Sequence, residues 1–118
     1  MNLIIAGGRD FTDLNFMYQG ISSITELSEL KEAPTLICGM ARGADLTAYE
    51  IWSWNQWPTI EMPADWGRYG RSAGYRRNAE MAAVADALIA FWDGQSKGTK
   101  HMIETMQKLN KPVWIFNY

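Results

Sequence analysis

The 118-residue chain predicts an α/β fold, a three-layer helix–sheet–helix sandwich around a five-stranded parallel sheet. Three observations carry this expectation. Strand-like and helix-like segments alternate from end to end, and parallel neighbours need a crossover that a helix supplies. Residues 87–92, ALIAFW, form an unbroken apolar run, as expected of a strand covered on both faces. Glycine-containing segments follow the strands, at the sheet edge where such folds bind ligands.

Each element can be read in turn. The first strand spans 2–6 and stops at Gly7-Gly8. Leu14, Met17, Tyr18, Ile21, Ile24 and Leu27 then recur at three and four, which predicts one helix with Gly20 inside it. Thr12 or Asp13 is its expected N-cap, and Pro34 closes the segment. The second strand, 35–38, stops at GMARGAD, and a helix is expected over 44–55. A short third strand falls near 59–62. The stretch 63–78, PADWGRYGRSAGYRRN, holds three glycines and shows no clear period, so it reads as a long irregular loop. A third helix carries AEMAAVA. The fourth strand, 87–92, runs into DGQSKGT and a last helix with Met102, Ile103, Met106 and Leu109 on one side. Asn110-Lys111-Pro112 breaks that helix before a fifth strand over 113–116. There are no repeats or linkers, and one domain over 1–118 is expected.

Composition narrows the function classes. A net charge of −2 makes the whole chain a poor polyanion binder, so nucleic acid is not the expected partner. The lone cysteine, Cys38, supports neither a disulfide nor a cysteine metal cluster, and no metal or cofactor is expected. It suits a reducing cytosol, and with no signal peptide or apolar span visible the expected location is cytoplasmic, away from membranes. Six tryptophans are read chiefly as core and dimer-interface residues, with base stacking as the sharper alternative.

The arginines are distributed unevenly. All of them, Arg9, Arg42, Arg68, Arg71, Arg76 and Arg77, fall in the segments 7–13, 39–45 and 65–80 that follow strands. With 93–100 these segments also hold every glycine except Gly20. Glycines let backbone amides approach a phosphate, helix starts present free N–H groups to it, and arginine adds planar bidentate donors. The pattern predicts an anion site built from Gly7, Gly8, Arg9 and Asp10; from Gly39, Arg42, Gly43 and Asp45; from Arg76 and Arg77; and from Asp93, Gly94, Ser96, Gly98 and Thr99. Asp45 reads as a helix cap or as an acceptor for a ribose hydroxyl. Asp65, Glu80 and Asp93 are the acids available for proton transfer, and each is expected to pair with a nearby arginine. Phe11 reads as packing. His101 has no metal-ligand partner and reads as an ordinary residue of a helix's first turn.

Taken together, GGRDF, GMARGAD, PADWGRYGRSAGYRRNAEMA and AFWDGQSKGTKHMI resemble, in order and spacing, the YspA-like branch of the SLOG superfamily. These are small Rossmann-like proteins frequent in bacteria and phages. The superfamily also contains the LOG-type phosphoribohydrolases, which split a nucleoside monophosphate into base and ribose 5-phosphate, and the DNA-uptake protein DprA. The resemblance implies a nucleotide-derived ligand in the crevice that the arginines mark. It also implies roles. The LOG arginine of R-K-x-x-M matches Arg77 in Arg77-Asn78-Ala79-Glu80-Met81. The P-G-G-x-G-T-x-x-E stretch aligns from Gly94 through Gly98-Thr99, which puts the LOG glutamate's position on Met102. A thioether neither stabilises an oxocarbenium-like charge as a carboxylate does nor moves a proton. Binding of a mononucleotide, an ADP-ribose-like molecule or a signalling nucleotide, by a sensor or sequestering protein, is therefore the expected function. A nucleotide N-glycosidase using Arg77 and Glu80 is the alternative, and DprA-like single-strand binding the third reading. Trp66 or Tyr69 would stack on a base. The Trp52/Trp54/Trp57 helix end and the last helix offer apolar surface for an expected homodimer.

Overall fold

In the computed structural model, which describes residues 1–118, five parallel strands stand in the order β3-β2-β1-β4-β5. They are β1 (Asn2–Gly7), β2 (Thr35–Cys38), β3 (Thr59–Glu61), β4 (Ala87–Trp92) and β5 (Val113–Asn117). The chain moves outward from β1 through β2 to β3, then returns across the sheet to β4 beside β1. That reversal makes the carboxyl ends of β1 and β4 the topological switch point, where a crevice opens between diverging loops. This is the Rossmann-like α/β architecture that the alternation predicts.

Side-chain alternation on the strands feeds two separate cores. Leu3, Ile5, Leu36, Ile89 and Phe91 pack with Met17, Ala48, Ile51 and Trp52 on one face. Ile4, Ile37, Leu88 and Ala90 pack with Met81, Ala82, Met102, Ile103 and Met106 on the other. Helices α1 (Leu14–Ser23), α2 (Thr25–Ser28) and α3 (Ala44–Trp54) thus cover the first face. Helices α5 (Ala73–Val84) and α6 (Lys97–Lys108) cover the second. Each fully buried aliphatic side chain contributes about 1.5–3 kcal/mol relative to exposure.

Two helical readings change. The first helix is not continuous to Leu27. Ile24 adopts extended backbone (ψ 105°) and divides α1 from α2, while Gly20 stays helical because its bare Cα seats the Phe91 ring. Asp13 is the N-cap, accepting from the Phe16 amide at 3.0 Å. The stretch expected to be irregular, 63–78, is mostly helical. A short helix α4 (Trp66–Tyr69) and a single 3₁₀ turn, Gly70–Ser72, lead directly into α5, which begins six residues before AEMAAVA. Asp65 caps α4 by accepting from the Arg68 amide, and Trp66 packs over Gly74, so these glycines serve close packing and not a loop.

Part of the apolar surface expected to serve a second copy is used internally. Trp52 is buried, its indole N–H donates to the Pro34 carbonyl at 2.9 Å, and Trp57 packs edge-on against it. Met102, Ile103 and Met106 of α6 face the sheet, leaving Trp54 and Leu109 exposed. No helix is long and apolar enough to cross a membrane.

Candidate functional site

A cleft of about 530 Å³ opens at the switch point and is lined from all four strand-to-helix connections. The loop after β1 supplies Gly7, Gly8, Arg9 and Asp10, and the loop after β2 supplies Ala41, Arg42 and Asp45. The region after β3 supplies Trp66, Arg71, Gly74, Tyr75, Arg77, Asn78 and Met81. The region after β4 supplies Asp93, Ser96, Gly98, Thr99 and Met102. Of the residues expected in the site, Gly39, Gly43, Arg76, Glu80 and Gly94 do not line this cleft.

Helical periodicity explains the two charged absences. Gly74, Arg77, Asn78 and Met81 follow i, i+3, i+4, i+7 along α5 and form one stripe facing the cleft. Arg76 and Glu80 are four apart on the opposite side, and both are exposed. Arg76 instead lies over the Tyr69 ring, 4.4 Å from its centroid, and its Nε donates to Ser72 Oγ. Tyr69 is thereby engaged by arginine, and the aromatic residues at the cleft are Trp66 and Tyr75. A loop reading of 63–78 cannot sort these side chains, because only a helix separates adjacent residues by about 100°.

The glycines have distinct tasks. A Cβ on Gly7 would meet the Phe91 carbonyl and Ala44, so its absence lets the end of β1 press against β4 and α3. Gly43 has φ 87° and ψ −128°, and a Cβ there would strike the backbone of Gly8 and Arg9. The Gly8 carbonyl accepts from both the Phe11 and Ala44 amides, at 3.2 and 3.1 Å. The start of α3 is thus spent on joining two loops. The start of α6 is less encumbered. Ser96 caps it through the Thr99 amide, while the first helical amides, at Lys97 and Gly98, have no carbonyl within the helix. A Cβ on Gly98 would meet nothing within 4 Å, so the space over that turn is open.

The charges in the cleft fall into two groups. Each of its three carboxylates is occupied by a donor of the protein. Asp10 Oδ1 accepts from the Tyr118 hydroxyl at 2.9 Å. Asp45 Oδ2 accepts from the Ala41 amide at 3.2 Å. Asp93 Oδ1 accepts from the Gln95 and Ser96 amides, both at 2.8 Å. The expected pairing of Asp65 and Asp93 with arginine side chains is therefore replaced by backbone capping, because each starts a turn whose amides need an acceptor. Asp45 does not fill the N-cap position, which belongs to Gly43. Its carboxyl is buried, and burial pushes its pKa up to about 6, opposed by the charge of Arg77, the Ala41 amide and Arg9. The amide bonds hold the exposed Asp93 below the usual carboxylate range. Among arginines, side-chain hydrogen bonds are made by Arg76 and Arg77, and Arg9, Arg42 and Arg71 hold none.

Arg77 anchors a network that the sequence does not reveal. Its Nη1 donates to the Gly39 carbonyl and its Nε to Asn78 Oδ1 at 3.1 Å. Asn78 Nδ2 in turn donates to the Gly98 carbonyl at 3.3 Å and lies 3.2 Å from His101 Nδ1. Burial lowers the His101 pKa, so a neutral ring accepting at Nδ1 is the form that fits. The Tyr75 ring packs on this imidazole, with centroids 4.5 Å apart. Asn78 thus ties the loop after β2, through Arg77, to the first turn of α6. Its position four residues after Gly74 is the signal that finds it, once α5 is known to include Gly74.

Met102 lies in the cleft lining and is 1% exposed, at the place where the LOG comparison puts a glutamate. Glu104 is exposed, so no second carboxylate on α6 replaces it. Burial pushes the Cys38 thiol up to about 12, which keeps it protonated and unreactive. No group of three His, Cys, Asp or Glu side chains is placed to hold a metal ion. Phe11 is buried against Phe91 and Tyr118, in the packing role expected of it.

Comparison with known proteins agrees with this architecture. The family model described as YspA, cpYpsA-related SLOG family matches residues 1–69, from β1 through α4. The Gene 61 protein of Mycobacterium phage D29 is 34% identical over 119 residues, covering 94% of this chain and 92% of its own length. With more than half of the chain matched by the family model and a relative aligned nearly end to end, the chain belongs to the YspA/cpYpsA-related SLOG family.

Proposed function

We propose that the cleft binds the phosphate of a nucleotide or nucleotide-derived molecule, and that the protein acts by binding, as a sensor or sequestering protein. The observation that carries this reading is the asymmetry of charge: the three cleft carboxylates are occupied internally, while Arg9, Arg42 and Arg71 are free to take an anion. Membership of the SLOG family supports a nucleotide-related function in general. In this reading the phosphate lies between Gly7-Gly8 and the Gly98-Thr99 turn, where amides and the start of α6 favour negative charge. Arg9 and Arg71 close on it, and Arg77 is held in place by Gly39 and Asn78. Trp66, half exposed, and Tyr75 offer ring faces to a base. Met102 supports binding over hydrolysis, because an N-glycosidase of the LOG kind needs a carboxylate there.

Titration calorimetry of the purified protein with AMP, GMP, CMP and UMP, beside the matching nucleosides, tests the proposal. The expected result is saturable binding of at least one nucleotide, at least about tenfold tighter than its nucleoside, with no free base released on long incubation. Equal affinity for nucleotide and nucleoside would remove the phosphate site. Stoichiometric turnover to free base, abolished by Arg77→Ala, would replace binding with hydrolysis.

A further inference from the structure

A second hollow of about 560 Å³ adjoins the cleft, over the carboxyl ends of β2 and β3. The two share Arg9, Ala41, Arg42, Trp66 and Arg77, so one wall of guanidinium groups separates two lobes. Beyond that wall the second lobe is lined by Gly39, Met40, Pro63 and Ala64, with no carboxylate. Met40 has φ +60°, a left-handed conformation for a residue with a side chain, which costs on the order of 1–3 kcal/mol and gathers at binding sites. Trp66 lines both lobes, and half of its surface is exposed.

We infer that the second lobe is a subsite for a second ring, and that the ligand class is a two-headed nucleotide whose two ring-bearing ends are joined by a pyrophosphate. The inference rests on the nucleotide reading above and goes further by fixing the ligand's architecture. One phosphate occupies the Gly98-Thr99 turn of the first lobe. A second meets the shared wall, where Arg9, Arg42 and Arg77 supply more positive charge than one phosphate monoester requires. The group beyond it enters a lobe whose own lining is uncharged, against Pro63, Ala64 and the indole of Trp66. A base, a nicotinamide-type ring or a second sugar meets that description, and a third phosphate does not.

Calorimetry with AMP, ADP, ADP-ribose and NAD⁺ tests this on the wild-type protein and on Ala64→Trp, which fills the second lobe from an exposed loop. ADP-ribose or NAD⁺ should bind at least about tenfold tighter than AMP, and tighter than ADP, which has the second phosphate but no second ring. Ala64→Trp should cost that ligand about tenfold or more while changing AMP affinity by less than about twofold. Should ADP bind as tightly as both two-headed ligands, the ring subsite is wrong and the mononucleotide site stands; this arm needs no variant to fold. The ring subsite is equally wrong if Ala64→Trp, folded by circular dichroism, leaves the affinity of the two-headed ligand unchanged. Absence of binding by all four ligands overturns the nucleotide reading itself, and the subsite with it.

Discussion

The loop after β1 and the first turn of α6 flank the same cleft, yet their glycines do opposite things. Gly7 and Gly8 are packed on all sides: a Cβ would meet the Phe91 carbonyl at one and the Tyr118 hydroxyl and Asp10 at the other. Gly43 locks this side further, with its positive φ and its contact on Gly8 and Arg9. Gly98, on the far side, touches nothing that a methyl group would displace. The first set is glycine because the fold leaves no room. For Gly98 the fold makes no such demand, and the open space belongs to whatever enters the cleft. A glycine-rich motif is thus evidence for a ligand only where the glycine's missing side chain is not already filled by protein.

The comparison can be broken most readily at Gly43. Gly43→Ala should destabilise the protein by about 3 kcal/mol or more, combining a disallowed backbone conformation with overpacking against Gly8 and Arg9. Urea denaturation measures this, and an unchanged midpoint would show that the loops are not locked together.

Next in size is the buried carboxyl between the two sides. The Asp45 pKa is raised in the folded protein to about 6, above its ordinary value of 3.8. The folded state therefore binds the extra proton between these values. Stability falls as pH rises from about 4 to 6 and then levels off. Asp45→Asn should lack this component, so the stability difference between variant and wild type should shift by up to roughly 2–3 kcal/mol in the variant's favour across that range. Urea titrations at pH 4.5 and 7.5 read it, and a pH-independent difference would contradict it.

Gly98→Trp should reverse the Gly43 result. Its melting temperature should stay near the wild type while nucleotide affinity falls about tenfold or more, equivalent to about 1.4 kcal/mol. Paired thermal and calorimetric measurements decide this. A loss of stability with no loss of binding would make Gly98 another packing glycine. The smallest effect is expected at Tyr118→Phe. Removing its bond to Asp10 should cost about 0.5–1.5 kcal/mol in urea denaturation.

The sheet was legible because its signals are local. Thr35–Cys38 and Ala87–Trp92 are short apolar runs bounded by glycine or aspartate, and their limits agree with the structure. The arginine bias toward the sheet's carboxyl edge was legible for the same reason. What sequence could not show was the helical state of 66–84. Gly67, Gly70 and Gly74 look like loop residues, but Gly74 is where the Trp66 ring packs, a contact that exists only after folding. Missing that helix hid the stripe of Gly74, Arg77, Asn78 and Met81 and placed Arg76 and Glu80 in a site they face away from. The occupation of Asp10, Asp45 and Asp93 was equally hidden, since Asp10 meets Tyr118 across 108 positions of sequence.

The central claim is that arginines facing the cleft bind phosphate and arginines facing away do not. The most direct measurement compares two double variants with the same change in charge, Arg9→Ala/Arg71→Ala and Arg68→Ala/Arg76→Ala, by calorimetry with the tightest-binding nucleotide. The first pair should lose about a hundredfold in affinity, near 2.7 kcal/mol, and the second less than about twofold. Equal losses in the two pairs would reduce the site to general electrostatic attraction and contradict the account.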